Sequence, residues 1–482
     1  MARSLDYNRL KKQVYEALRE WHRPRSDAQS PLRDLHVWRQ SLHEIQQKKL
    51  SEAGGMHGHG ATNHLLYRAL KILRLEDSES ASLLEMRFQD GWSAQRVANR
   101  LNIAESTVYA KQRQAVRRLA TVIYEMEEKA LAVKLERVAR RTPPPTYVNL
   151  VGVQEHLDEL TQRLIAPEPP WMFSVEGIGG IGKTALGHAL LGRAMMNAAF
   201  DDCGWVSAQP AILDLSGVIR PVDQPLLSAE QLVEALLSQL APETAAYLTA
   251  DRTRALTALQ KRLKREPHLI VIDNLETVTD LEALLPTLQS LANPSKFVLT
   301  TRKSLYSEPN LYHFAVPELN DVHALALIRQ EARYSNLPAL AESCDDELYP
   351  IYETVGGNPL ALRLVVGQLH MDSPEVILDD LVEAKGATAE NLYDYIYRRA
   401  WDSLDGLSQE VLVAMPLVSV DGDDLDYLAE VTGMSHGDLR SGLNKLITLN
   451  LVDGVGGLRH RRYRIHSLTR TFLHRQVVKW TG

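Results

Sequence analysis

The chain has 482 residues, 45% hydrophobic and 24% charged, with a net charge of −7 and two cysteines. That is the composition of a soluble chain of several domains, because single cores stop growing beyond about 250–300 residues. It excludes a disulfide-stapled fold. With no apolar run near the ~20 residues of a membrane helix and no leader-like start, it excludes a membrane partner and points to the cytoplasm.

Residues 1–60 read as a helical segment. Leu10, Val14, Leu18 and Trp21 recur at helical spacing, as do Leu35, Trp38, Leu42 and Ile45 after Pro31, so these stripes are packing surface. The run GGMHGHG, Gly54 to Gly60, interrupts them. Its His57 and His59, together with His64, have no carboxylate or cysteine close by, and the stretch reads as a loop rather than a metal site.

Residues 61–141 carry a different pattern. Between Thr62 and Arg141 there are 15 Lys/Arg against 10 Asp/Glu, a local excess of 5 in an acidic chain. One helix closes near Asp90-Gly91, and Ser93 caps a second that carries Val97, Ala98 and Leu101. The turn from Asn102 to Glu105 then leads to a third, capped by Ser106. This is helix-turn-helix spacing.

On the third helix Val108, Ala115 and Leu119 share the apolar face, opposite Ser106, Ala110, Arg113, Gln114 and Arg117. Short side chains at its start suit base edges, and the later arginines suit phosphates. The candidate DNA contacts are Ser106, Thr107, Lys111, Arg113, Gln114 and Arg117. A small helical module that recruits a protein is the other reading, favoured by Glu125, Glu127 and Glu128 just beyond. Three consecutive prolines, Pro143 to Pro145, then make residues 142–147 a semi-rigid linker.

From 148 to 316 strands alternate with helices, the pattern of a doubly wound parallel sheet. Strands are expected at Phe173–Val175, Gly204–Val206, Leu269–Asp273 and Lys296–Arg302, with helices at Leu232–Leu240 and Thr253–Lys264. Between the first strand and its helix lies GIGGIGKT, a GxxxxGK[ST] phosphate loop. Gly177, Gly179, Gly180, Ile181 and Gly182 would turn backbone N–H groups around a polyphosphate ahead of Ala185. Lys183 would reach the phosphates, and Thr184 would hold Mg²⁺.

The strand IVID ends in Asp273, placed to hold the same Mg²⁺. Asn274 follows instead of a second acid. Glu276 is either a base that orients water or a solvated helix-start residue, so ATP hydrolysis is expected to be slow. Arg302 closes the fourth strand with a planar donor fork suited to a γ-phosphate. The chain is mostly helical from 317 to 386. Near its end Leu449–Val452 and Tyr463–Ile465 flank the glycine-rich turn Gly454–Gly457, as a wing would.

The motifs GIGGIGKT, IVIDNLE, LTTR, GGNPLAL and RIHSLTRTFL stand in that order. Together they resemble the NB-ARC branch of the STAND proteins, the signal-transduction ATPases with numerous domains, which are related to the AAA+ ATPases. Residues 83–120 resemble the helix-turn-helix of sigma factor region four. The first resemblance implies a helical domain at 317–390 and a winged helix at 391–482, beside the nucleotide-binding domain at 148–316. It implies that Pro359 packs on adenine, that Val151 lies beside it, and that His466 contacts the β-phosphate of ADP. Ser467 stands where many members have aspartate, and Val153 where arginine is usual.

The resemblance also implies a switch, off with ADP and on with ATP, that forms a homo-oligomer when ATP is bound. No repeat of 20–50 residues is present, so the sensor that the resemblance implies either lies outside this sequence or is supplied by a separate sensor or effector protein. Two outputs stay open. One is transcription regulation through DNA. The other is a signalling or defence scaffold whose N-terminal helices recruit a protein.

Overall fold

The computed structural model describes residues 6–22, 29–51, 60–145, 147–208, 227–248, 252–275, 278–302, 308, 310–370, 373–374, 376–378, 397–398, 400–402, 404–419, 422–457, 460–465, 469–470 and 473. The N-terminal part is helical: α1 (Tyr7–Arg19), α2 (His36–Ser51), α3 (Gly60–Glu76), α4 (Ser78–Leu84), α5 (Ala94–Leu101) and α6 (Glu105–Arg141). Leu10, Val14, Leu18 and Trp38 share one core with Leu65, Leu70, Val97, Val108 and Leu119. The segments expected separately at 1–60 and 61–141 therefore form one body. An amphipathic helix has to bury its stripe against another element, and these bury theirs against each other.

Helix α6 runs for 37 residues. Its N-cap is Ala104, not Ser106, which lies exposed in the first turn. Glu127 is no part of an acidic surface. It is buried, and its carboxylate accepts the backbone N–H groups of His36 at 2.9 Å and Val37 at 3.0 Å, closing the start of α2.

The far end of α6 already belongs to the next unit. Val138 joins a core with Leu190, Ala194 and Phe200, and buried Lys134 donates to the carbonyls of Asn197 at 3.1 Å and Phe200 at 2.6 Å. Arg141 donates to Asp202 Oδ1 and to the Cys203 carbonyl, both at 2.7 Å. The two units thus meet along a docked helix that ends before the prolines, and the prolines are not a free spacer between them.

The next unit comprises α7 (Gln154–Ile165), β1 (Met172–Glu176), α8 (Lys183–Met195), β2 (Asp202–Ser207), α9 (Ala229–Leu240), α10 (Pro242–Leu248), α11 (Arg252–Arg265), β3 (His268–Leu275), α12 (Val278–Leu291), β4 (Lys296–Thr301) and β5 (Leu311–Ala315). The strands form a parallel sheet in the order β2-β3-β4-β1-β5. Phe173, Val175, Val271 and Val298 pack with residues of α7 and α8. On the other face Ile270, Ile272 and Leu299 pack with residues of α9, α11 and α12. This parallel sheet covered by helices on both faces is the doubly wound arrangement expected for residues 148–316. Strand β5 has no counterpart in the sequence reading because it is a half-exposed edge, and LYHFA carries no continuous apolar run.

The C-terminal part comprises α13 (Asp321–Tyr334), α14 (Pro338–Glu342), α15 (Asp345–Val355) and α16 (Pro359–Gln368), then α17 (Gly406–Ala414), α18 (Leu425–Thr432), α19 (His436–Thr448) and the antiparallel hairpin β6 (Asp453–Gly457) and β7 (His460–Arg464). Residues from both sides of the expected boundary near 390 share one core, with Ile328, Leu364 and Val365 alongside Leu443, Leu449 and Ile465. Gly454 to Gly457 are not the turn of the hairpin. They lie within β6, paired with Tyr463 to His460, while buried Leu451 and Val452 lie between α19 and the hairpin.

Candidate nucleotide-binding site

Strand β1 ends at Glu176 and α8 starts at Lys183, so the glycine-rich loop lies at the carboxyl edge of the sheet, where open α/β sheets take ligands. Gly182 is the N-cap of α8 with φ 102° and no side-chain cap. That backbone favours glycine, and it leaves the first N–H groups of α8 open to an anion. Lys183 Nζ donates to the carbonyls of Gly177 and Ile178, both at 2.8 Å, so its ammonium lies across the loop.

Thr184 Oγ1 donates to the Asp273 carboxylate, at 2.9 Å from Oδ1 and 3.1 Å from Oδ2. The sequence reading placed both residues at one Mg²⁺, and the fold brings their oxygens together. A hydroxyl and a carboxylate are the hard donors Mg²⁺ takes, so this pair fits the ion. Asp273 is buried, which pushes its carboxyl up. Hydrogen bonds from Thr300 and Thr184 and the charge of Lys183 oppose that shift.

Thr300 escaped the sequence reading. Its Oγ1 donates to Asp273 Oδ1 at 2.6 Å and accepts the Asn274 N–H at 2.8 Å. Asn274 has φ 66°, and the β3–β4 register shifts between Ile272 and Leu275. Thr300 therefore pins both the carboxylate and the bulge beside it. The only sequence signal was its place in LTTR.

A cavity of about 500 Å³ opens beside the loop, within the usual range for small-molecule sites. Val151, Gly180, Ile181, Gly182, Ala185 and Pro359 line it, joining the expected adenine-side and loop residues. Pro145, Tyr147, Arg363, Asp453 and Arg464 line it too, and none of these was singled out as a ligand contact. Arg363 is paired with Glu331 at 3.3 Å and Asp453 at 3.2 Å, and these two charges hold its guanidinium up against the effect of burial.

Asn358 closes α16 onto the loop. Its Oδ1 accepts from the backbone of Leu360 and its Nδ2 donates to the Gly179 carbonyl, each at 3.0 Å. A Cβ on Gly180 would stand 2.7 Å from Leu360 Cβ, so only glycine permits this approach. Arg302 follows β4 directly and is half-buried. Burial raises the Tyr397 hydroxyl, and the charge of nearby Arg302 opposes that shift without cancelling it. Glu276, His466 and Ser467 lie outside the described residues.

The DNA-contact candidates lie on α6. Ser106, Lys111, Arg113, Gln114 and Arg117 are exposed and Thr107 is half-buried. Lys111 Nζ lies 3.4 Å from Glu79. Ser93 caps α5, accepting the Arg96 N–H at 3.1 Å, and Asn102 ends it in the left-handed region with φ 55°. His64 faces Glu44 at 3.7 Å, and among the described residues no cluster could hold a metal through histidine, cysteine and carboxylates alone.

Comparison with known proteins bears on this core. Residues 153–335 match the NB-ARC domain. Residues 62–120 match a protein family of unknown function, DUF1492. The TMV resistance protein N of Nicotiana glutinosa is 26% identical over 313 residues, covering 63% of this chain and 25% of that protein. The disease resistance protein RML1A of Arabidopsis thaliana is 24% identical over 361 residues, covering 70% of this chain and 33% of that protein. The chain thus spans a quarter to a third of these relatives.

A STAND protein with a tetratricopeptide repeat sensor from Pyrococcus horikoshii aligns with a TM-score of 0.46 at 17% identity, over 69% of this chain and 43% of that one. The NB-ARC match and the phosphate-loop geometry agree on a nucleotide-binding P-loop core. No helix among the described residues is long and apolar enough to cross a membrane.

Proposed function

We propose that this chain is a nucleotide-controlled signalling switch, closed with ADP and opened by ATP with Mg²⁺. The observation that carries it is the shared cavity. Loop residues Gly180 and Gly182, Pro359 from the helical part and Arg464 from the C-terminal hairpin all line it. A ligand there touches every unit that would have to move, which a switch requires, because only a ligand that distinguishes two arrangements can shift their balance. Lys183, Thr184 and Asp273 would hold the phosphates and metal, Pro359 and Val151 the base, and His466 the closed state. Arg302 would engage the γ-phosphate or a neighbouring copy on opening. Hydrolysis would be slow, with Asn274 after the metal-binding aspartate.

We further propose that the output is DNA binding through α5 and α6, strengthened when assembly aligns several copies. The exposed Arg113 and Arg117 support this over protein recruitment, and the burial of Glu127 removes part of the acidic face that favoured the scaffold.

The test is size-exclusion light scattering of the full chain with ADP, and with a slowly hydrolysed ATP analogue plus Mg²⁺. A monomer with ADP and a discrete larger assembly with the analogue are expected. His466→Ala should assemble more readily. One unchanged mass in every condition, with nucleotide demonstrably bound, would sink the switch.

A further inference from the structure

Of the prolines after α6, Pro145 lines the cavity, and the short segment that carries it is held from two sides. Pro143 and Pro144 are half-buried and Pro145 is exposed. Proline has no N–H and these carbonyls enter no helix or ladder, so whatever water does not satisfy needs a donor from elsewhere. Arg464, at the end of β7 and 4% exposed, supplies two: Nη1 donates to the Pro144 carbonyl at 3.0 Å and Nη2 to the Pro145 carbonyl at 3.1 Å. A planar guanidinium can serve two successive carbonyls at once, which an ammonium on a flexible stem does less well.

From the other side comes His188 of α8, the helix that begins at Lys183. Its ring bonds the Pro143 backbone, necessarily as donor to the carbonyl, and its Nδ1 lies 3.1 Å from the Tyr147 hydroxyl. The ring is also edge-on to Tyr147 and Trp205, at 5.9 and 6.1 Å between centroids. Upstream, Arg141 ties the end of α6 to β2. Pro143, Pro144, Pro145 and Tyr147 thus lie between the phosphate-loop helix and the C-terminal hairpin, and Pro145, Tyr147 and Arg464 all face the cavity.

We propose that these residues are a strap over the nucleotide cavity, and that Arg464 is the positioning residue through which the C-terminal part keeps it shut. The strap couples three things. A C-terminal part that swings away takes Arg464 with it and leaves the Pro144 and Pro145 carbonyls without their donors. The cavity wall then loosens and bound nucleotide can leave. The same release reaches α6, whose end lies immediately upstream, so nucleotide exchange and the N-terminal helices are linked through one short segment. Of the basic residues of β7, Arg464 is buried and turned inward.

This inference rests on the nucleotide-switch reading, and one experiment on the full chain separates the two. The release of a fluorescent ADP is followed by stopped flow for the wild type, Arg464→Lys, Arg464→Ala and Tyr147→Phe, with amide hydrogen exchange of the peptide that carries Tyr147 measured alongside. Release is expected to be about tenfold faster in R464A, a free-energy change of about 1.4 kcal/mol. R464K should be intermediate and Y147F a few-fold faster, each with faster exchange at the strap.

Failure of the wild type to bind the probe would remove the nucleotide reading itself. Binding by the wild type, with R464K and Y147F releasing the probe at the wild-type rate and exchange unchanged, would overturn the strap alone. These two conservative variants decide the matter even if R464A does not fold.

Discussion

Asn358 Nδ2 donates to the Gly179 carbonyl at 3.0 Å, while its Oδ1 caps α16 by accepting from Leu360 and Ala361. One buried side chain thus ties the helical part to the phosphate loop. Its two ends can be tested apart. Asn358→Asp keeps an acceptor for the cap but removes the donor, and it sets a carboxylate against a carbonyl beside an anion site. Asn358→Ser keeps a weaker cap with no opposing charge. N358D is expected to weaken ADP binding at least tenfold, with N358S losing only about 1 kcal/mol of stability. Titration of fluorescent ADP with thermal melts checks this, and wild-type affinity in both N358D and N358S would refute the loop contact as a determinant.

Thr300 should govern the metal rather than the nucleotide as a whole. Its hydroxyl proton is committed to Asp273 Oδ1 because its lone pair takes the Asn274 N–H. Thr300→Val is close in shape but removes a buried donor to a carboxylate, a loss of about 1–3 kcal/mol. The expected outcome is a rise in the Mg²⁺ concentration needed for ATP binding, with metal-free ADP affinity little changed and T300S restoring most of the function. If V and S variants show the same Mg²⁺ dependence as wild type, Asp273 is positioned by Thr184 alone.

How far the sequence reaches is visible in these two residues. Gly177 to Thr184 and Asp273 were legible because phosphate and Mg²⁺ chemistry demands those residue types in a strand-to-helix setting. The sheet core was legible because buried parallel strands read as apolar runs. Asn358 and Thr300 were not, since their partners lie far along the chain and a polar residue at a helix start or strand end has a local explanation that hides the distant one. The union of residues 6–141 into one body escaped for the same reason: amphipathic stripes show that a face is buried but not against what. Arg464 was not legible because arginines usually lie in water, and only the fold turns this one inward.

The docking of α6 on the nucleotide-binding unit gives a pH signature. Desolvation lowers the Lys134 ammonium from 10.5 to about 8, despite the charges of Asp201 and Asp202. Between those values the unfolded chain binds the proton and the folded chain does not, so this residue's contribution to stability rises with pH from about 8 to 10.5 and is flat below. The full difference is on the order of 3 kcal/mol. Lys134→Met should remove that slope, seen by urea unfolding at a series of pH values. It should also loosen the joint, because the carbonyls of Asn197 and Phe200 lose their donor. An identical pH profile in K134M would mean that the lysine is hydrated and the joint softer than its packing indicates.

DNA binding has to be measured on the full chain, because α1 and α2 supply Leu10, Val14, Leu18 and Trp38 to the core on which α5 and α6 rest. An isolated 62–141 segment would expose that surface and could bind anything apolar. In the full chain Arg113 and Arg117 are exposed, and α6 is fixed to the nucleotide-binding unit by its far end. Phosphate contacts release counterions, so affinity for duplex DNA should fall steeply with salt. Removing two contacts by Arg113→Ala with Arg117→Ala should make the slope of log K against log salt shallower by roughly 2. Anisotropy of a labelled duplex across a salt series reads this directly. Because the helix face is exposed in this structure, nucleotide would act on affinity through the number of copies assembled and not by uncovering the face. The slope per copy should therefore be the same with ADP and with the ATP analogue, while the apparent affinity on a multi-site duplex increases only with the analogue. No binding at low salt in either state would assign α5 and α6 to protein recruitment and leave the nucleotide switch untouched.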